Sequence, residues 1–181
     1  MNWIKKIIIF LCICIILGIG LFYKNSFFPH WIVWEKAVFQ DSSEDYQITL
    51  KHRKVSVRYA DNIIWSTPKD IKVQKIVSGD IDRDKQDELI LLCWRKGHYG
   101  DVKPIWVEED DNDWVQHIFV YDLMPEEISA KWMSSYIGMD ISDISIDSND
   151  SLGILIKLKP VAGEESSWRW DSWGFTRVDI P

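Results

Sequence analysis

The sequence predicts an all-β domain of short meander strands, carried behind one apolar N-terminal helix. Three observations predict it. From residue 31 onward the chain is filled by short runs of β-branched and aromatic residues, bounded by polar turn residues. Tryptophan is heavily used, with eleven copies, which suits sheet packing. Beyond residue 24 no apolar pattern of helical period runs for a useful length.

The length of 181 residues allows one domain with a proper core plus an appendage. The formal net charge is −7, and the first 24 residues hold three lysines and no acid, so the remainder stands at −10. Such a surface excludes nucleic acid as a partner, because phosphates need a basic face. It also offers nothing to an anionic membrane surface. Of three cysteines, Cys12 and Cys14 lie in the N-terminal apolar run, and Cys93 alone lies in the domain. The domain therefore has no internal disulfide. Cys93 follows four apolar residues, and that setting predicts a buried thiol rather than a nucleophile.

The N-terminal segment, residues 1–24, predicts a membrane anchor. Lys5 and Lys6 form a basic head, and Ile7–Tyr23 is uncharged and almost wholly apolar. At about 1.5 Å per residue the run gives roughly 25 Å of helix, slightly short of a ~30 Å hydrocarbon core. Trp3 and Tyr23 suit the two interfaces. The expectation is a single-pass protein of the cell membrane, held through residues 4–23, with the N-terminus cytoplasmic and the domain extracytoplasmic. The alternative is a secreted domain, released by cleavage near Gly18 and Gly20. Residues 25–45 read as a juxtamembrane segment, with a first strand over Trp31–Trp34 that Ala37–Phe39 extends and a polar linker or turn over Gln40–Asp45. Residues 46–181 read as the repeat domain.

Within that domain Tyr46–Lys51 and Lys54–Tyr59 alternate apolar and polar residues, and Asn62–Thr67 follows the turn signal Asp61-Asn62. Ile71–Ser78 and Glu88–Arg95 flank an acidic loop. Lys96–Asp101 reads as a turn. Lys103–Val107 and Trp114–Asp122 are expected to pair as a hairpin across the acidic run Glu108–Asp113, itself read as a solvated tip. Met124–Lys131 suits a turn of helix, overlapping a weak strand at Ser129–Ser134. Ile141–Ile146, Leu152–Leu158, Ser167–Trp170 and Trp173–Asp179 complete the strands.

The acidic loop is the strongest local signal. Asp80, Asp82, Asp84 and Glu88 place carboxylates at positions one, three, five and nine, just before the apolar run Leu89–Trp94. A hard cation such as Ca²⁺ takes six to eight oxygen ligands from a loop that curls around it. The pattern has an echo sixty-three residues on, where Asp143, Ser145, Asp147 and Asp150 precede Leu152 as Asp80, Asp82, Asp84 and Asp87 precede Leu89. Self-similarity at a fixed period signals repeated units, and a period near sixty with about four strands suits a propeller blade.

Asp80–Leu89 resembles the calcium loop of the FG-GAP/VCBS repeat proteins, the blades of integrin-alpha-like β-propellers, and the likeness extends faintly over residues 62–178. The resemblance implies a β-propeller-like fold with structural Ca²⁺ held by Asp80, Asp82, Asp84, Glu88 and the carbonyl of Gln86. It implies a weaker second loop at Asp143, Ser145, Asp147 and Ser151. Two departures stand out: the usual Gly at position six is Lys85, and the second copy has lost charge. Closed propellers have at least four blades, so two to three blades here mean a partial or open propeller, a sandwich of blade units, or half of a ring closed as a homo-oligomer.

No nucleophile elbow, phosphate loop or dinucleotide fingerprint occurs, and the four histidines lack zinc spacing. Trp168 and Trp170 share one face of the last hairpin by alternation, as candidate aromatics for a protein or carbohydrate ligand at the cell surface. The expected function is a binding or scaffolding module. The alternative is a small extracytoplasmic hydrolase using carboxylates on glycans.

Overall fold

The computed structural model describes residues 3–24, 28–40, 46–60, 62–99, 103–124, 127–149 and 152–179. Residues 25–27, the polar linker 41–45, Asp61, Gly100, Asp101, Asp150 and Ser151 lie outside these. The chain divides into two compact units, residues 1–30 and 31–181.

In the first unit α1 spans Trp3–Lys24. Its side chains from Ile7 to Leu17 are exposed and apolar on every side, as expected of a helix with no polar face. Among the described residues no helix is long and apolar enough to cross a membrane. The span expected from the sequence goes beyond that finding, and its uncharged run was already short of a full crossing.

Among the described residues of the second unit, twelve strands form three four-stranded antiparallel sheets, each an up-and-down meander. The first sheet holds β1 (Ala37–Gln40), β2 (Tyr46–Lys51), β3 (Lys54–Tyr59) and β4 (Asn62–Ser66). The second holds β5 (Lys72–Gly79), β6 (Glu88–Lys96), β7 (Trp114–Met124) and β8 (Glu127–Met133). The third holds β9 (Ile141–Asn149), β10 (Gly153–Pro160), β11 (Ser166–Asp171) and β12 (Gly174–Val178).

The second sheet lies between the other two and buries both faces. Strand alternation assigns the faces. Leu89, Leu91 and Cys93 pack with Phe119 and Tyr121 against Ile48, Leu50, Val55 and Val57 of the first sheet. Ile90, Leu92, Ile118 and Val120 pack against Ile144, Ile156 and Leu158 of the third. This double burial explains why β6 reads as a continuous apolar run rather than an alternating one. Cys93 is fully buried, and burial pushes its thiol far above the usual range. The outward positions of the first and third sheets are mostly polar: Gln47, Thr49, Ser56 and Arg58 on one, Asp147, Lys157, Arg169 and Thr176 on the other.

Three expectations are corrected. Residues 31–36 are not a strand, since only Ala37–Gln40 pairs with β2. Glu35 is held instead on β5: its N–H donates to the Gln74 carbonyl at 3.0 Å, and its carboxylate accepts from the Ile76 N–H at 3.3 Å. Residues 31–40 thus belong to the β unit and not to a separate segment. Lys103–Val107 forms no hairpin with β7, because Pro104 cannot donate and its carbonyl closes a turn with the Val107 N–H. β7 pairs with β6 and β8. The turn of helix expected over Met124–Lys131 is replaced by the end of β7 and most of β8, where Ile128 and Trp132 take partly buried sheet positions.

The connection from β6 to β7 is anchored by a buried histidine. His117 is 1% exposed, and its ring nitrogens face the carbonyls of Ser134 at 3.0 Å and Gly97 at 3.1 Å. Burial holds its pKa below the ordinary value, against the pull of those two carbonyls. The unfolded chain takes up this proton near pH 6.5, whereas the folded chain does so only at lower pH. The stability it contributes is therefore complete above about pH 6.5 and lost as pH falls through the folded value. The wild-type melting temperature should drop more steeply from pH 7 to pH 5 than that of His117→Gln. Parallel melting curves across that range would contradict the assignment.

Candidate functional site

The site grows from one row across the second sheet. Gly79, Glu88, Asp122 and Ser129 stand opposite one another on β5, β6, β7 and β8. Glu88 and Asp122 are like charges on directly opposed residues, an arrangement that destabilises a sheet unless something neutralises it. Beside this row β8 carries a bulge: Val120 faces Trp132 while Tyr121 faces Ala130, leaving Lys131 as the extra residue. Bulges re-aim side chains at sheet edges. This one brings the Lys131 ammonium to Asp82 Oδ2 at 2.5 Å, Glu88 Oε1 at 2.7 Å and Asp122 Oδ1 at 2.8 Å.

Electrostatics follow from this packing. Burial opposes the charge on Lys131, but its hydrogen bonds to Asp122, Asp82 and Glu88 outweigh burial and hold the ammonium well above the usual lysine range. Burial pushes the Glu88 carboxyl up, against Lys131 and the Ile81 N–H, which pull it down. Glu88 is 1% exposed, and both its oxygens are engaged, the second by the Ile81 N–H at 2.9 Å.

The structure brings Asp80, Asp82 and Glu88 together, with carboxylate oxygens within 4.8 Å of one another. Asp84 and Gln86 are exposed, and the Asp84 carboxylate does not join the three. Asp84 closes the turn by accepting from the Gln86 N–H at 2.8 Å, and Asp82 Oδ1 accepts from the Asp84 N–H at 3.2 Å. Asp80 Oδ2 accepts from the Lys85 N–H at 3.1 Å, and its Oδ1 is buried with no hydrogen-bond partner. Lys85 takes a φ of 75° and Arg83 one of 69°, left-handed conformations that favour glycine. As a cage for a hard divalent cation the donor set does not fit as it stands. Such an ion wants six to eight oxygens, and an ammonium already rests on two of the three that converge. Lys131 and Asp122 were invisible to the loop motif because they arrive from strands more than thirty residues downstream.

The second loop is corrected. Asp143, Ser145 and Asp147 lie within strand β9, where Ile144 and Ile146 alternate with them toward the core. Asp143 pairs with Lys75 at 2.6 Å and Asp147 with Lys157 at 2.7 Å. Ser151 lies outside the described residues. The turn after β9 does meet the first loop, for Arg83 Nη2 donates to the Leu152 carbonyl at 2.6 Å.

Between these connections and the β11–β12 turn opens a cleft of about 720 Å³, lined among others by Asp82, Arg83, Lys131, Trp132, Trp170 and Trp173. Trp168 and Trp170 do not form an exposed pair. Both are half-buried against the third-sheet core, and the Trp168 indole donates to Ser166 Oγ at 2.8 Å. Trp170 meets Trp132 and Phe175 edge to face, with ring centroids 6.2 and 5.3 Å away. In this hairpin it is Trp173, at the tip, that is exposed, 91% accessible. Its position could have been read from the two-residue turn that must join the last two strands. The acidic run is not merely a solvated tip either: Asp110 accepts from the N–H groups of His98 and Tyr99 at 2.8 and 3.1 Å.

No family model matches the chain, and no curated protein or solved structure does so either.

Proposed function

We propose that this chain is a membrane-anchored, extracytoplasmic binding module, an open arc of three propeller-like blades that takes a glycan in the cleft between its second and third sheets. The observation that carries this reading is Trp173, a large aromatic left 91% exposed on the rim of a cleft whose other aromatics are fixed by packing. An indole face suits the apolar C–H face of a sugar ring, and the neighbouring Asp82, Arg83 and Asp171 can exchange hydrogen bonds with its hydroxyls. The polar outward faces of the first and third sheets support an arc that needs no closing blade, as polar caps do in stacked repeats. The exposed apolar side chains of α1 and the basic residues Lys5 and Lys6 support the anchor and its orientation.

The hydrolase reading is weaker on a specific point. Its acids must be free to donate or accept a proton. Yet both oxygens of Glu88 are spent on Lys131 and Ile81, and Asp82 also carries the ammonium.

A panel of neutral and acidic oligosaccharides, tested against the full chain in detergent, examines the proposal. Trp173→Ala should weaken glycan binding about tenfold or more, the loss of roughly 1.4 kcal/mol, with the melting temperature nearly unchanged because the ring packs on little. Trp170→Ala should instead lower the melting temperature by several degrees. Equal glycan binding by wild type and Trp173→Ala would overturn the reading, as would capture of proline-rich peptides and no sugar.

A further inference from the structure

We propose that Lys131 is the resident cation of the β5–β6 loop: its ammonium, supplied by the bulge in β8, replaces the divalent metal that the loop's carboxylate spacing predicts. Four carboxylates, Asp80, Asp82, Glu88 and Asp122, converge at one end of the second sheet. Without a cation their repulsion would push the loop off the sheet. An ammonium has three N–H donors and no acceptor. The three contacts of 2.5, 2.7 and 2.8 Å use all three, at charge-assisted distances. Its side chain is 16% exposed and that of Glu88 1%, so water replaces little of this pairing.

The rest of the loop accords with that substitution. A metal would need the Asp84 carboxylate turned inward, whereas it is exposed and accepts from the Gln86 N–H within the loop's own turn. A tethered ammonium also does what a free ion cannot. Carried on β8 by its own side chain, it holds the β5–β6 loop to that strand through ion pairs, so the loop wall of the cleft is fixed whatever the surrounding calcium concentration. This inference does not depend on what the cleft binds.

The corollary is a latent metal site. Removing the ammonium leaves Asp82, Glu88 and Asp122 unpaired, beside the buried Oδ1 of Asp80 that already lacks a partner. The full chain in detergent should show the same melting temperature in Ca²⁺ at about 1 mM, a level that fills weak extracellular sites, as in EDTA. Lys131→Ala should melt lower in EDTA and regain roughly 2–4 °C in that Ca²⁺. Tb³⁺ luminescence, sensitised by the nearby Trp132, should appear in the variant and not in wild type. Lys131→Met, which keeps the apolar stem, should behave alike where the alanine variant folds poorly. The proposal is overturned if Ca²⁺ raises the wild-type melting temperature, if Tb³⁺ binds wild type as well as the variant, or if neither variant responds to Ca²⁺, including failure of both to fold in its presence.

Discussion

Gln116→Leu should destabilise the fold by about 2–4 kcal/mol, because each buried polar group left unpaired costs roughly 1–3 kcal/mol. Gln116 sits on β7 and is fully buried. Its side-chain amide copies a strand edge: it accepts from the Ile141 N–H at 2.6 Å and donates to the Ile141 carbonyl at 2.8 Å. It also donates to Gln74 Oε1 at 2.9 Å, which takes the Trp94 indole N–H at the same distance. Gln74 in turn donates to the Ser142 carbonyl at 3.0 Å. The two amides therefore pin the first residues of β9 onto the second sheet. Leucine fills the space but orphans the Ile141 N–H. Chemical denaturation followed by tryptophan fluorescence reads the loss, and a change below 1 kcal/mol would show that the network is dispensable. The same substitution should weaken the proposed glycan binding, since the third sheet, with Trp170 and Trp173, is located by this pin at one end and by Arg83 on Leu152 at the other.

What the sequence disclosed followed from local rules. Tyr46–Lys51 and Lys54–Tyr59 alternate strictly, and both strands lie where the alternation puts them. The acidic loop joins β5 to β6 as its turn residues require. The failures are cases where a distant partner decided the outcome. Trp31–Trp34 has strand composition, but Gln74 and Ile76 hold the neighbouring Glu35 on a different sheet. Asp143–Asp147 carries loop chemistry, yet the isoleucines between those acids have a core to enter, and lysines of β5 and β10 neutralise the acids in place. Lys131 fell where a turn of helix and a weak strand overlapped, with no site role. Its role depends on a bulge, and a bulge is set by the pairing of two strands and not by the sequence of one. The hairpin β2–β3 shows the same point: His52 and Arg53 both take positive φ, and the Arg53 carbonyl accepting from the Val73 N–H, with its guanidinium over Trp34, holds a turn that its residue types would not favour.

Leu91→Ala and Leu92→Ala should each cost about 2–5 kcal/mol, and both should keep a single unfolding transition. The two residues are neighbours on β6 and fully buried, but they face opposite ways, Leu91 into the core with the first sheet and Leu92 into the core with the third. Were the sheets independent, a cavity on one side would melt only that side. The second sheet is shared by both cores, so neither outer sheet has an apolar surface it can bury alone. Loosening one core exposes a face of the sheet on which the other depends. Coincident urea transitions by tryptophan fluorescence and far-ultraviolet circular dichroism, shifted to lower urea in both variants, are the expected result. An early fluorescence transition confined to Leu92→Ala, with most of the circular dichroism retained, would mean that the third sheet unfolds alone. In that case the cleft, which draws Trp132 from the second sheet and Trp170 and Trp173 from the third, would open before the domain unfolds.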